Sequence, residues 1–151
     1  MPTIAFGFRD KLNAVLGGEM HSYCFQCGAC VGDCPAARYS PRFNPRMIML
    51  KSIMGLEEEL LGEDSVIWLC TNCYNCYERC PQDVRPVEVI IALKNLARAK
   101  EHAPQKVASM VNSVKEQGLT ASVTSATERM RAELGLPPLP RVPVEELREL
   151  M

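Results

Sequence analysis

Two stretches of this chain carry one cysteine pattern. The first, Cys24-Phe-Gln-Cys27-Gly-Ala-Cys30-Val-Gly-Asp-Cys34-Pro35, and the second, Cys70-Thr-Asn-Cys73-Tyr-Asn-Cys76-Tyr-Glu-Arg-Cys80-Pro81, both read CxxCxxCxxxCP. All eight cysteines of the 151-residue chain fall in these two runs. Ordinary burial would not use every cysteine at matched offsets, so the runs are read as ligand sets.

The length bounds the fold to one domain, or one small domain with a tail. With 47% hydrophobic and 23% charged residues the composition is that of an ordinary globular protein. Arg9, Asp10 and Lys11 interrupt the apolar residues of positions 1–20, leaving no signal-peptide core, and no stretch approaches the roughly 20 apolar residues of a membrane span. The expectation is a soluble, cytoplasmic chain. In that reducing setting, grouped cysteines hold metal more readily than they form disulfides.

The pattern along the chain is helical, and no strand alternation stands out. Phe8, Leu12, Val15 and Leu16 sit at helical spacing in an N-terminal arm, residues 1–20, which Gly17-Gly18 ends. The domain that carries both cysteine runs is set at 21–103. Between the runs, Pro35 and Pro41 disfavour regular helix over 35–43, and Asn44-Pro45 then makes a capped helix start. Met47, Leu50, Ile53, Met54, Leu60 and Leu61 are read as one apolar face, the methionines Met47, Met49 and Met54 as packing, Glu57, Glu58 and Glu59 as solvated, and Gly55 as a break. A small helix capped by Asp64 or Ser65 leads into Cys70, with Trp68 buried near a ligand site.

Pro86 opens the clearest helix, to about His102, with Val89, Ile90, Leu93, Leu96 and Ala97 on one side. C-terminal helices are expected over 104–135. One starts at Pro104 and stops at Gly118; another starts with a Ser125-Ala-Thr-Glu128 capping box and ends at Gly135. The remainder, 136–151, has four prolines in the eight residues from Leu136 to Pro143 and is expected to be extended, with one or two helical turns at the end. Such a tail buries little alone, so it is expected either to be mobile or to be laid on a partner, the docked reading being the one taken.

The spacing of each run is that of bacterial-type ferredoxins, so the ligand sets are read as iron-sulfur sites. Three thiolates on one tight loop let backbone amides point at the cluster, while the fourth cysteine comes where the chain has turned away. In two-cluster ferredoxins that fourth cysteine ligates the other cluster. Transferred to this chain, the likeness gives one [4Fe-4S] cluster Cys24, Cys27, Cys30 and Cys80, and the other Cys70, Cys73, Cys76 and Cys34. The 35 residues between Cys34 and Cys70 then become a loop closed by metal at both ends. A capped helix in that linker favours an all-helical dicluster ferredoxin over the compact sheet-containing kind. Zinc in four-thiolate sites is the rival, but it needs only cysteine pairs and leaves the third cysteine and the Cys-Pro step unexplained.

The formal net charge of -1 becomes roughly -5 once two clusters at about -2 each are counted, which argues against nucleic acid as a partner. Arg38, Arg42, Arg46, Lys51, Arg79 and Arg85 flank the runs, either as solvated charge or offsetting the clusters and meeting an acidic partner. Tyr23, Phe25, Tyr39, Tyr74 and Tyr77 are assigned to shielding the clusters, and His21 and His102 to surface or packing. No glycine-rich nucleotide loop, Ser/His/Asp set or spare cysteine is evident, so no catalytic site of its own is expected.

Together the segments Cys24-Phe-Gln-Cys-Gly-Ala-Cys, Asn44-Pro45-Arg46, Gly55-Leu-Glu-Glu-Glu, Ile67-Trp68-Leu-Cys70-Thr-Asn-Cys-Tyr and Arg79-Cys80-Pro81 resemble the C subunit of heterodisulfide reductase over about residues 20 to 102. The Gly135-Leu-Pro tail is similar too. The resemblance implies an all-helical ferredoxin with two [4Fe-4S] clusters in a hetero-oligomer. It also implies electron relay between a flavin-bearing A subunit and a cysteine-rich B subunit that reduces the disulfide of coenzyme M and coenzyme B. Similar C subunits serve complexes that convert other sulfur compounds, so the substrate follows the partner, and a separate catalytic subunit is expected. The alternatives are a free dicluster ferredoxin, an iron-sulfur subunit of another dehydrogenase, or a redox sensor.

Overall fold

The computed structural model describes residues 3–121, 123–139 and 142–150. Met1 and Pro2 of the expected arm, Ser122 of the expected C-terminal helical region, Pro140 and Arg141 of the expected extended run, and Met151 of the tail lie outside the described residues. The chain divides into two compact units, Met1–Ala103 and Pro104–Met151. Among the described residues the secondary structure is helical, with no strand.

The first unit holds α1 (Phe8–Asn13), α2 (Ala29–Gly32), α3 (Pro35–Tyr39), α4 (Pro45–Met54), α5 (Glu57–Leu61), α6 (Asn75–Glu78) and α7 (Pro86–Ala99). At its centre lies α7, packed on α4, α5 and α6. Val89, Ile90, Leu93 and Ala97 of α7 are fully buried among Phe8, Leu12, Ile48, Met49, Leu60 and Ile67. Each large aliphatic side chain taken from water in this way stabilises the fold by about 1.5–3 kcal/mol.

Helix starts follow the chemistry read from the sequence. The Met47 amide donates to Asn44 Oδ1 at 3.1 Å, with Pro45 at the first helical position. Ser65 caps the short 3-10 segment Val66–Leu69 that delivers Cys70, accepting from the Ile67 amide at 3.4 Å. Gly55 ends α4 in the left-handed region at φ 73°, where a side chain would also press on the Ala5 carbonyl oxygen.

Several expectations are corrected. The segment after the first run is helical over α3, because Pro35 occupies the first helical position, where its fixed φ suits a helix and its missing N–H is not needed. Leu16 is 92% exposed, since α1 ends at Asn13 and only Phe8 and Leu12 of that helix are buried. The buried face of α4 is Pro45, Ile48, Met49 and Ser52, while Met47 and Met54 are exposed. Apolar residues surround this helix, so periodicity alone does not pick the face. The Ser52 hydroxyl, donating to the Ile48 carbonyl at 2.9 Å, is compatible with burial. Trp68 is half-buried, packing against the hydrophobic core.

Glu57 is only 7% exposed instead of solvated. Lys100 Nζ lies 2.6 Å and Lys11 Nζ 3.3 Å from its carboxylate, tying α5 to α1 and to the end of α7. These hydrogen bonds, Lys100 first, hold the Glu57 carboxyl below its ordinary range against the opposing effect of burial. The imidazole of His102 closes the same end, its Nδ1 lying 2.8 Å from the Leu61 carbonyl oxygen.

The second unit contains α8 (Gln105–Gln117), α9 (Ser125–Glu133) and α10 (Val144–Leu150). Gly118 ends α8 at φ 71°. The cap of α9 is Thr124, one residue before the expected Ser125, accepting from the Thr127 amide at 3.3 Å. Arg148 on α10 donates to the Lys115 carbonyl at 3.1 Å, fastening α10 to α8. No described side chain of this unit is fully buried.

Because the Glu57 carboxyl is depressed in the folded state, its contribution is complete above the ordinary value of 4.5 and fades as pH falls through the folded one. Glu57→Gln is expected to lower stability by about 1–3 kcal/mol near neutral pH. In denaturant melts the gap from wild type should hold steady between about pH 8 and 5 and shrink below that. A gap that widens in acid would contradict the assignment.

Candidate metal centre

Each cysteine run folds the same way. In the first loop Gln26 and Gly28 take positive φ, at 56° and 84°; in the second Asn72 and Tyr74 do, at 53° and 64°. These are the second and fourth residues after Cys24 and Cys70. Left-handed residues placed so closely curl successive amides toward one side, forming a concavity that favours anions. Glycine meets this demand without strain in the first loop, whereas Tyr74 meets it at a cost. From each turn a short helix follows, α2 carrying Cys30 and α6 carrying Cys76, and these two helices pack on each other.

The eight predicted cysteines gather at two cavities. Cys24, Cys27, Cys30 and Cys80 line one, with Phe25, Gly28, Arg46, Pro81 and Pro86. Cys70, Cys73, Cys76 and Cys34 line the other, with Phe43, Pro45, Tyr74, Val87 and Ile90. Three thiols therefore come from one loop and the fourth from the other run, at both cavities. Cys27 and Cys73, the middle cysteines of the loops, are the exposed ones.

Two helices begin at these cavities. Pro45 and Arg46 open α4, and Pro86 and Val87 open α7, each helix presenting its positive N-terminal end to the thiols. The Val84 amide donates to Cys80 Sγ at 3.3 Å. Between the runs, Asn75 Nδ2 donates to the Asp33 carbonyl at 3.1 Å, and Arg79 pairs with the Asp33 carboxylate at 2.8 Å.

Three of the thiols, those of Cys30, Cys76 and Cys70, resist ionisation. Burial, then the neighbouring thiols Cys76 and Cys24, push Cys30 up to about 12; burial and then Cys70 push Cys76 up to about 11. An amide hydrogen bond from Val87 works the other way at Cys76. Cys70 is also raised, by burial first. So dense a group of thiolates forms only with positive charge among them, and metal loading must release protons. Four soft thiols around each cavity fit an iron-sulfur core.

The remaining expectations divide. Tyr74 and Phe25 line cavities although both are exposed, whereas Tyr23 and Tyr39, exposed as well, line neither of the two. Tyr77 stands beside Tyr74, ring centroids 6.0 Å apart, beneath the Arg85 guanidinium at 5.3 Å. Apolar cover comes from Phe43, Pro45, Val87 and Ile90, of which only Ile90 stands out by helical periodicity; the signal of the others is position, beside the helix-opening prolines. Of the basic residues, Arg46 reaches a cavity, while Arg38, Arg79, Arg85 and Lys51 are taken up by acidic neighbours, and Arg42 lines a separate hollow. His21 is fully buried, with Nδ1 2.8 Å from the Gly18 carbonyl oxygen. Lys94 carries no signal in the sequence that would mark it for the site. Its Nζ donates to the Cys70 carbonyl and to Asn72 Oδ1, both at 3.0 Å, and only tertiary packing brings it there. Burial lowers its pKa and Cys70 raises it.

The family model described as a 4Fe-4S dicluster domain matches residues 20–84. The C subunit of the H(2):CoB-CoM heterodisulfide,ferredoxin reductase of Methanothermobacter thermautotrophicus is 39% identical over 134 residues, 88% of this chain and 70% of the relative. The iron-sulfur C subunit of the CoB--CoM heterodisulfide reductase of Methanopyrus kandleri is 35% identical, over 78% of this chain and 60% of the relative. The C subunit of the Ferredoxin:CoB-CoM heterodisulfide reductase of Methanosarcina mazei is 32% identical over 85% of this chain and 81% of the relative.

A helical frame with two four-thiol cavities, matched by a dicluster domain, defines an iron-sulfur electron-transfer protein of two [4Fe-4S] clusters. Within that class the chain belongs to the family of heterodisulfide reductase C subunits. Among the described residues no helix is long and apolar enough to cross a membrane.

The turn geometry is testable at Gly28. An added Cβ there meets only Arg46 Cδ at 3.8 Å, an ordinary contact, so the cost of Gly28→Ala is that of the backbone, about 1–2 kcal/mol. Iron content and melting temperature should both fall. In the control Gly32→Ala, where a Cβ meets nothing within 4 Å, neither should.

Proposed function

We propose that this chain is the electron-relay subunit of a heterodisulfide-reductase-type complex. It accepts single electrons from a flavin-containing A-type subunit and delivers them to a cysteine-rich B-type subunit that reduces a disulfide or converts another sulfur compound, or it passes them in reverse. When bound, each [4Fe-4S] cluster supplies a one-electron centre. In this reading the ligand sets are crossed: Cys24, Cys27, Cys30 and Cys80 hold one cluster, Cys70, Cys73, Cys76 and Cys34 the other. The observation that carries it is the thiol grouping, three from one loop and one from the other run at each cavity.

The chain's own residues do the rest. The left-handed turns of both loops and the N-terminal ends of α4 and α7 stabilise negative charge, so the thiols can stay ionised once metal is present. Packing of α2 on α6 holds the loops side by side. Phe43, Val87 and Ile90 keep water from the inner side of the second cavity, and exposed Cys73 and Cys27 give each site an outward edge where a partner can approach. The chain has no catalytic site of its own in this reading; bond chemistry belongs to the partner subunits, and the names of this chain's relatives specify a CoB-CoM heterodisulfide.

One measurement decides between this and a free ferredoxin, and a second tests the crossed ligation. Tagged protein isolated from its source cells should carry larger flavin-bearing and cysteine-rich subunits in fixed ratio; elution as a lone monomer that reduces generic acceptors would reject the relay role within a complex. For the crossed ligation, Cys34→Ala should damage the centre built on Cys70, Cys73 and Cys76 more than that of its own loop, as read by electron paramagnetic resonance of each reduced centre. Loss confined to the first-loop signal would mean uncrossed ligation.

A further inference from the structure

The two cysteine loops match in backbone but differ in fixed charge. At the second, Lys94 reaches across from α7 and donates to the Cys70 carbonyl and to the side chain of Asn72, each at 3.0 Å. Asn72 is the left-handed residue that turns the chain between Cys70 and Cys73, so the ammonium grips the loop at its bend. Lys94 is itself half-buried on a central helix. At the first loop the basic residue lining the cavity is Arg46, which is exposed. An exposed guanidinium is screened by water and salt, whereas a half-buried ammonium held by two acceptors is screened much less.

We propose that Lys94 is a potential-setting residue: its anchored ammonium raises the reduction potential of the cluster on the Cys70, Cys73 and Cys76 loop and leaves the first-loop cluster at the lower potential. Reduction adds one negative charge at an already anionic site, and a fixed positive charge nearby stabilises the reduced form more than the oxidised one. The effect falls with distance and is screened beyond about 10 Å, so it is local to the second loop. Lys94 acts through the field and through the carbonyl it holds, without touching iron. This inference rests on the relay reading and deepens it, because unequal potentials decide on which of the two centres an electron resides.

The test is a potentiometric titration of the cluster-loaded protein within its complex, followed by electron paramagnetic resonance, for wild type, Lys94→Gln, Lys94→Met and Lys94→Arg. A Cys73→Ser background, which alters the spectrum of the second-loop centre, identifies its midpoint. Lys94→Gln and Lys94→Met are expected to shift that one midpoint downward, Lys94→Arg to keep it within error, and the other midpoint to stay put in all three. Glutamine keeps a donor but no charge. If Lys94→Gln behaves as wild type while Lys94→Met does not, the hydrogen bonds matter and the charge does not, which overturns the proposal. Equal shifts of both midpoints, or none, overturn it as well. Absence of two reducible centres in the wild type would instead sink the relay reading on which it stands.

Discussion

At both cavities three thiols arrive from one loop and the fourth from a run more than 35 residues away. In the proposed ligation, a bond to metal from each side closes the intervening chain, including α4 and α5, into a loop that cannot open while both sites are filled. Closing a loop of that length carries an entropic cost, which metal bonds and core packing offset together. The first unit does have a core, around α7, and it reaches the second cavity through Ile90. Cluster binding and the hydrophobic core are thus two halves of one stabilising arrangement, meeting along α7, where buried Val87 and Ile90 also line the thiol site.

Electrostatics complement this. Burial first, and neighbouring thiols after it, make Cys30 and Cys76 favour their protons. The fold answers with directed partial charges more than with whole ones: left-handed turns aim amides inward, and two proline-started helices point their N-terminal ends at the cavities. Most of the arginines near the runs serve acidic neighbours instead. Asp33 draws both Arg38 and Arg79, stitching the first run to the second on the surface. Whole charges close to the thiols are few, and the anchored one sits at the second loop.

Much of the fold is legible in the sequence because local chemistry fixes it. Asn44-Pro45, Ser65, Pro86 and Gly55 each dictate a helix start or stop by hydrogen bonding or by allowed φ, and those elements appear where the spacing places them. Less is legible where the decision is not local. The apolar face of α4 cannot be read from spacing, because methionine, isoleucine and leucine surround that helix, and its packing on α5 and α7 determines which side is covered. Glu57 looks like its neighbours Glu58 and Glu59 in sequence, yet Lys11 and Lys100 reach it from positions 46 and 43 residues away. Tyr39 lies near the first run in sequence, which suggests shielding, but α3 turns it outward.

The sequence by itself determined the chemistry: eight thiols at ferredoxin spacing, in a helical chain, specify a two-cluster protein because soft ligands and their offsets are properties of the residues and of the short loops that carry them. Which cation stands beside which site, and which aliphatic side chains keep water out, were decided only in three dimensions. Those relations join residues far apart in the chain, and no local propensity encodes them; they exist once α7 is laid against α4 and α6.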